Sequence, residues 1–224
     1  MKINKVLDNT KLKYIIDTIF NNLLDAEEEF NKNDISKILN FNNDKIELSK
    51  LLASKYIPNK IKNYIIYNNN NNNINNYIIE KIINGKNFKI TFTNFRGKNR
   101  LNKLLNYNII KSVFLLFYFL SNYSNEKCAK NIDINIFLTD FEKTFPRNKN
   151  TIIGPNNVNS GYSTAGCNKT TMLVIYREEE WFKVLIHELF HNLYLDFSTS
   201  NIKESVKLLL EKFGVKSDYC FFET

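Results

Sequence analysis

Hydrophobic and polar residues in the second half of the chain follow two periods, and together these predict an α+β domain. Alternation typical of half-buried strands occurs in four segments: Phe88 to Thr93, Ile132 to Thr139, Asn157 to Thr164 and Thr171 to Arg177. Helical spacing occurs from Lys98 to Asn122 and from about Glu178 to Leu195. The first turn of this last helix would hold three glutamates, residues 178–180, which the helix dipole stabilises. The predicted order is β-α-β-β-β-α, with a mixed twisted sheet packed on the last helix.

The first 85 residues follow a different pattern, in which short helical segments alternate with asparagine. Helix-like spacing is found in three segments: Lys11 to Phe30, Asp34 to Leu39 and Asp44 to Tyr56. Asp34 and Asp44 stand where N-caps are expected. The asparagine run at residues 68–73 cannot bury apolar surface, so we predict a loop or linker there. The chain therefore divides into a helical, Asn-rich region, residues 1–85, and a second domain, residues 86–224.

The cysteines and the apolar segments indicate in which cellular compartment the protein is expected. The three cysteines, Cys128, Cys167 and Cys220, are far apart and in no CxxC pair, so we expect free thiols in a reducing compartment and no cysteine zinc site. The N-terminus lacks the features of a secretory signal. The most apolar run, Val113 to Leu120, is far shorter than the roughly 20 residues that cross a bilayer. We therefore predict a cytoplasmic protein with no membrane partner.

The net charge of +8 and the pI near 9.2 would suit an acidic partner such as nucleic acid. The lysines are scattered, however, and Asn-rich stretches separate them. The sequence contains no zinc finger, helix-turn-helix or combined basic and aromatic motif. We interpret the charge as favouring solubility and do not predict nucleic acid as a partner.

Residues 187–191 read HELFH, an HExxH motif that contains both histidines of the chain. Histidines at positions i and i+4 project from one face of a helix and can bind one metal ion together. Zinc is the metal that this motif binds in peptidases. His187 and His191 are therefore the predicted zinc ligands, and Glu188 is placed to reach a water molecule on the metal.

The position of the motif on its helix distinguishes a metal site from packed core histidines. At about 100° per residue, apolar side chains fill one arc of the helix: Trp181, Phe182, Leu185, Ile186, Leu189, Phe190 and Leu193. His187 and His191 lie in the opposite, polar arc. We expect the helix to pack its apolar arc on the domain and to present both imidazoles to a cleft. The remaining alternative is that both histidines lie on the surface and bind no metal.

This constellation of residues predicts peptide hydrolysis without a covalent intermediate. Zinc lowers the pKa of a bound water toward neutrality and polarises the scissile carbonyl. Glu188 takes the water proton as general base and passes it to the leaving amine. The predicted function is that of a zinc metallopeptidase acting on protein or peptide.

The stretch NVNSGYST, followed by TMLVIYREEEWFKVLIHELFHNLYLDFS, resembles a group of zincin metallopeptidases, gluzincin-like in type, encoded by giant DNA viruses. The resemblance covers roughly residues 90–224. It implies a zincin-like fold, in which a strand before the active helix edges a cleft and pairs with extended substrate. That strand is either NVNSGYST or TMLVIYR, although the Asn and Gly of the first equally suit a turn or bulge. The resemblance also implies a location in the host cytoplasm or the virion.

A catalytic zinc needs a third protein ligand, and three acidic residues are candidates. Asp196 follows the motif, and no Gly lies between them to turn the chain back toward the metal. We therefore interpret Asp196 as a residue that contacts a metal ligand without binding the metal, or as one that ends the helix. Glu211 has gluzincin spacing, yet it projects opposite the apolar stripe of a predicted helix from Ile202 to Phe213. Glu223 falls where the viral group places the first Glu of an ExYxE helix, and it is the predicted third ligand. The chain ends one residue later, so we expect the C-terminal subdomain to be truncated.

Two other functions compete with an active zinc peptidase. One is a catalytically inactive zincin-like binding protein, and the other is a basic nucleic-acid-binding module with an incidental HExxH. The intact Glu188 favours the active enzyme, because a protein that had lost catalysis would be free to lose this residue.

Overall fold

The computed structural model describes residues 9–32, 39–42, 45–49, 52–148, 150–164 and 166–196, together with residues 207, 211, 212 and 214. Within the described ranges up to residue 196 the chain forms six helices: α1 Asn9–Asn31, α2 Asn59–Asn70, α3 Lys98–Leu104, α4 Tyr107–Tyr123, α5 Pro155–Val158 and α6 Trp181–Asn192. Over the same ranges it forms six strands: β1 Leu39–Asn42, β2 Asn75–Ile83, β3 Lys86–Asn94, β4 Asn131–Leu138, β5 Gly161–Ser163 and β6 Thr170–Ile175. The HELFH motif lies on α6.

One mixed sheet contains these strands in the order β1-β2-β3-β4-β6-β5. β3, β4 and β6 run parallel, β2 pairs antiparallel with β1 and β3, and β5 pairs antiparallel with β6. Helices packed with a mixed sheet confirm the predicted α+β class. All four predicted strands are present, although β5 is much shorter than its predicted segment, because α5 occupies the beginning of that segment.

Helices cover both faces of the sheet. On one face, α4 and α6 pack on alternate residues of the central strands, and this larger core includes Phe88, Ile90, Ile134, Ile136, Val113, Phe117, Leu185 and Leu189. On the other face, α2 and the segment before it cover a smaller core: Leu52, Ile57, Ile61, Ile65, Phe137, Val174 and Tyr176. Because side chains alternate along a strand, successive residues of β4 belong to different cores. Of the predicted apolar arc of α6, Leu185, Leu189 and Leu193 are buried in the larger core, whereas Phe190 is 40% exposed.

The predicted long helix from Lys98 to Asn122 consists of two helices, α3 and α4, bent by 59°. The side chain of Asn106 accepts the backbone N–H of Ile109 at 3.2 Å and caps α4. Because an asparagine side chain competes with helical backbone bonds, a new helix begins there. Within the described residues, no single helix has both the length and the apolar composition to cross a bilayer, and α3 and α4 reach both only when taken together.

The N-terminal region, predicted as helical and Asn-rich, also contributes two strands, β1 and β2, to the sheet. β2 and β3 form a hairpin in which Ile83 pairs with Lys86. The turn is Asn84-Gly85, whose φ angles of 50° and 74° are both positive, as a two-residue type I′ turn requires. The predicted boundary between the two domains, after residue 85, falls at this turn. The Asn-Gly dipeptide ends one hydrophobic pattern along the sequence, but in the structure it joins two paired strands of one sheet.

Of the three helical segments predicted in this region, one is confirmed, since α1 includes Lys11 to Phe30. Residues 45–49 and 52–56 are described and are not helical. Asp34 and Asp44, the predicted N-caps, lie outside the described residues.

The asparagine run is more than a loop or linker. Its first three residues form the end of α2, and Asn72 turns the chain with a φ of 58°. Asn69 is buried and bonds to the backbone of Ile46, donating to its carbonyl at 3.1 Å and accepting from its N–H at 3.0 Å. Its amide thus satisfies one backbone donor and one backbone acceptor of the half-buried Ile46, which lies outside the sheet.

Cys128 and Cys167 form a disulfide, so the prediction of free thiols is wrong for these two residues. They precede β4 and β6, and each lies three residues before a member of the register pair Asn131 and Thr170. Because these neighbouring parallel strands begin side by side, the cysteine Cα atoms lie 4.8 Å apart despite a sequence separation of 39. Cys220 lies outside the described residues.

Candidate metal centre

Helix α6, which carries the motif, is shorter than predicted. It begins at Trp181, so the glutamates at residues 178–180 precede it and do not lie in its first turn. Their carboxylates instead bond to groups of neighbouring segments: Glu178 to Arg100, Glu179 to the N–H of Lys143, and Glu180 to Lys143 and Ser160. These contacts tie the start of α6 to α3 and to the loop between β4 and β5.

The two histidine rings converge at a cleft. His187 is exposed, and His191 is half-buried, with 20% of its side chain accessible. Their Nε2 atoms lie 3.2 Å apart, and their ring centroids lie 4.8 Å apart. Two nitrogen ligands placed about 2.0 to 2.1 Å from one tetrahedral zinc are about 3.3 to 3.4 Å from each other. The rings therefore fit one shared metal ion.

Asp196 orients the ring of His191. Its Oδ2 lies 2.7 Å from Nδ1 of the imidazole. An ionised carboxylate only accepts hydrogen bonds, so Nδ1 is the donor, and the Nε2 of a neutral ring directs its lone pair toward His187. Carboxylates bonded in this way to metal-binding histidines fix both the tautomer and the ring orientation. Asp196 thus contacts the ring nitrogen opposite the one that faces His187.

The turn that brings Asp196 back to the helix contains no glycine. After α6, Tyr194 has a φ of 61°, in the left-handed region. The N–H of Leu195 bonds to the carbonyl of Phe190 at 2.9 Å, and that of Tyr194 bonds to the carbonyl of His191 at 3.2 Å. Together these bonds form a Schellman motif, in which glycine is the usual left-handed residue. This turn could not be predicted from the sequence, because a tyrosine takes the place of that glycine.

Among the residues that the structure describes, no three His, Cys, Asp or Glu side chains are grouped to hold a metal ion, so none of them joins the two histidines as a third ligand. Glu211, the second candidate in the sequence, is helical and exposed. Glu223, the predicted third ligand, lies outside the described residues and stays a prediction.

Glu188 is more buried than either histidine, with 9% of the residue exposed. The hydroxyl of Ser163 donates a hydrogen bond to its Oε2 at 2.6 Å. Ser163 is the last residue of β5, so this bond joins the edge of the sheet to the motif and holds the carboxylate in one orientation. Sequence reasoning missed Ser163, because no local pattern links residues on different elements.

The motif and β5 line a cleft of about 770 Å³. All three motif residues contribute to its wall, as do Tyr162, Ser163 and Lys183. Burial raises the pKa of Tyr162 to about 12, so its hydroxyl is protonated at neutral pH and can donate a hydrogen bond. Cavities that bind ligands measure about 300 to 1,000 Å³, and this cleft lies within that range.

The loop between β4 and β5 also lines the cleft, through Lys143, Asn159 and Ser160. Lys143 of this loop bonds through Nζ to Oε1 of Glu180 at 2.5 Å, and Ser160 bonds to the same carboxylate. Burial alone would raise the pKa of Glu180, but the Lys143 ammonium and the Ser160 hydroxyl outweigh it, and the pKa is lowered. Arg177 is buried and donates to the carbonyl of Phe141 in the same loop at 2.7 Å. Buried and half-buried polar contacts thus hold the loop between β4 and β5 against Arg177 and Glu180.

Gly161 allows β5 to lie close against α6. A Cβ at this position would meet Cγ1 of Val184 at 2.8 Å and the carbonyl oxygen of Val174 at 2.9 Å. Gly161→Ala should therefore lower the free energy of unfolding by about 1 to 3 kcal/mol, as overpacking does elsewhere. Urea unfolding measures the change. Gly154→Ala is the matched control, because nothing lies within 4 Å of its Cβ, and equal stability of the two variants would contradict the prediction.

Compared with known protein families, with curated proteins and with solved structures, the chain matches none of them. Its function must therefore be inferred from the chemistry of the cleft. The features that bear on this chemistry are the paired imidazoles, the carboxylate behind one of them, and a buried glutamate held by a serine.

Proposed function

We propose that this chain is a zinc-dependent peptidase in which His187 and His191 hold the metal and Glu188 is the general base. The convergence of the two Nε2 atoms at 3.2 Å carries the proposal. Two neutral imidazoles whose lone pairs point at each other repel, unless a cation or a shared proton lies between them. Asp196 keeps the hydrogen of His191 on the far nitrogen, so the Nε2 lone pair of His191 is available to a metal ion, or to the N–H of His187 when no metal is bound.

When bound, zinc would polarise the scissile carbonyl and lower the pKa of a water molecule toward neutrality. The carboxylate of Glu188 would act as general base toward the attacking water and would then donate the proton to the leaving amine. A general base must be held within hydrogen-bond reach of the proton that it removes. The bond from Ser163 provides that restraint, and the position next to His187 on α6 provides the proximity.

The substrate that best suits the cleft is an extended peptide lying beside β5. This strand is last in the strand order, and the described residues contain no strand beyond it. An extended peptide can add to such an edge through main-chain hydrogen bonds. Of the two strands that the sequence left open, NVNSGYST contains the one at the edge, because β6 lies between β4 and β5. An edge strand beside the HExxH helix also supports the zincin-like assignment.

Zinc content tests the metal site directly. We expect one equivalent of zinc in the wild-type protein and none in His187→Ala, because the remaining imidazole is then a lone ligand within the motif. Asp196→Asn keeps both ligands but loses the carboxylate acceptor on Nδ1, so its zinc affinity should fall about 10- to 100-fold. Metal analysis after dialysis and competition with a coloured chelator measure stoichiometry and affinity. Full zinc occupancy in His187→Ala would overturn the proposal.

The same measurement identifies the third ligand. Glu223→Ala should lose zinc affinity as His187→Ala does, whereas Glu211→Ala, a matched substitution at an exposed position, should retain it. The reverse pattern would assign the third ligand to Glu211.

A further inference from the structure

The cleft has one end at the HELFH motif and a second end about two helical turns away. At the first end, the bond between Ser163 and Glu188 joins the last residue of β5 to the motif. At the second end, the bond between Ser160 and Glu180 joins the residue before β5 to the residue before α6. β5 and the first two turns of α6 therefore run side by side in the same direction, from the second end toward the histidines.

The second end of the cleft carries an excess of positive charge. Three charged side chains line it: Lys143, Glu180 and Lys183. The Glu180 carboxylate bonds to Nζ of Lys143 and to the hydroxyl of Ser160. Burial would raise the pKa of Glu180, but Lys143, Ser160 and, less strongly, Lys183 lower it, so the carboxylate is ionised at neutral pH. Two ammonium groups and one carboxylate leave a net charge of +1 at this end.

Lys183 supplies the charge that this group does not neutralise. It is exposed, whereas the side chains of Lys143 and Glu180 are only 29% and 17% accessible. In the part of the chain that the structure describes, Lys143 forms an ion pair with Glu180, and no ion pair includes Lys183. An ammonium group that lines a cleft without a bonded carboxylate can bind an anionic group of a ligand.

The spacing on α6 relates Lys183 to the proposed site of hydrolysis. Lys183 lies four residues before His187, so the two side chains project from one face of the helix about one turn, or roughly 5.4 Å, apart. An extended peptide beside β5 advances about 3.3 Å per residue. Lys183 therefore lies beside a substrate residue about two positions from the bond at the histidines.

We propose that the ammonium of Lys183 binds a carboxylate of the peptide substrate, about two residues from the bond that is cleaved. This inference rests on the proposed function, which places the peptide beside β5 and the scissile bond at His187 and His191. The carboxylate belongs to an Asp or Glu side chain or to the C-terminus of the peptide, because all of these present the same charged group. The net charge of +8 on the whole chain also attracts acidic peptides.

The direction of the peptide decides on which side of the cleaved bond this carboxylate lies. β5 runs from the basic end of the cleft toward the motif. A peptide antiparallel to β5 runs the opposite way and places residues C-terminal to the cleaved bond beside Lys183. A parallel peptide places N-terminal residues there. A C-terminal carboxylate can therefore reach Lys183 only in the antiparallel arrangement.

Cleavage of a peptide library by the full chain tests the inference, with the products identified by mass spectrometry. We expect Asp and Glu to be enriched at one position about two residues from the cleaved bond. Lys183→Gln should remove this enrichment and raise KM for an acidic peptide about 5- to 10-fold with kcat unchanged. An ion pair remote from the reacting atoms has this effect because it stabilises the bound substrate and the transition state alike. Lys183→Glu should reverse the preference toward Lys and Arg.

Lys103→Gln is the matched control, because it makes the same substitution at an exposed helical residue outside the cleft lining, and it should keep the wild-type preference. Amidation of the peptide C-terminus distinguishes the two sources of the carboxylate. Cleavage two residues from the C-terminus should be lost on amidation if the terminal carboxylate binds, and should be kept if a side chain does. Either result supports the inference when the preference is absent from Lys183→Gln.

Cleavage without acidic enrichment, or enrichment that Lys183→Gln retains, overturns the inference and leaves the peptidase proposal intact. A fall in kcat without a rise in KM overturns it too, because Lys183 would then affect catalysis and not substrate binding. A wild type that binds no zinc or cleaves no peptide overturns the proposed function, and this inference with it. Zinc content equal to that of the wild type in all three variants shows that the substitutions leave the metal site in place.

Discussion

Glu188→Gln is expected to lower kcat/KM for peptide hydrolysis about 10²- to 10⁴-fold, the usual contribution of general acid–base catalysis. The amide has the same shape as the carboxylate and can still accept the hydrogen bond of Ser163, so the cleft should keep its form. It cannot take a proton from water at neutral pH. Zinc binding should be unchanged, because the two imidazoles and Asp196 are not altered.

Cleavage of a peptide library, followed by mass spectrometry, measures this loss alongside zinc content. Glu142→Gln is the matched control, because it makes the same substitution at an exposed residue outside the cleft lining, and it should keep wild-type activity. Full activity in Glu188→Gln would exclude Glu188 as the base. A wild-type protein that binds zinc but cleaves no member of the library would favour the alternative function, an inactive zincin-like binding protein.

Local patterns in the sequence predicted the elements that surround this site. The strands β3, β4 and β6 were predicted because their side chains alternate between two covered faces of a sheet, and this alternation is visible over a few residues. The spacing of His187 and His191 likewise depends only on the pitch of one helix. The hairpin of β2 and β3 is not among the predicted elements although its Asn-Gly turn is a local signal, because the asparagines before β2 predict a linker and the domain boundary is predicted at the turn itself.

Parts of the candidate site could not be predicted because they depend on contacts between distant residues or on unusual backbone angles. Ser163 reaches Glu188 only after β5 has paired with β6 at the edge of the sheet. Asp196 reaches His191 because the backbone of Tyr194 is in the left-handed conformation, which residues other than glycine seldom adopt. Neither contact follows from the spacing of residues along the chain.

Loss of the Cys128–Cys167 disulfide is expected to lower the free energy of unfolding by up to about 4 kcal/mol, since a cross-link across 39 residues restricts the unfolded chain by about that much. The double variant Cys128→Ala, Cys167→Ser removes the bond and avoids an unpaired hydroxyl at Cys128, which is buried. Urea unfolding with and without a reductant measures the effect. The reductant should destabilise the wild type and leave the double variant unchanged, while Cys220→Ser, which keeps the pair, should respond as the wild type does.

The same cross-link supports the connection that follows β5. Cys167 lies in the connection between β5 and β6, a few residues after Ser163, and the disulfide anchors that connection to the segment preceding β4. Its loss should therefore reduce hydrolysis more than zinc binding, because Ser163 positions Glu188, whereas both imidazoles are held by α6 and Asp196. Titration of thiols in the unreduced, unfolded protein should find one free thiol. Three free thiols would mean that the two parallel strands bring the cysteines together without a bond, and the stability of the double variant should then equal that of the wild type.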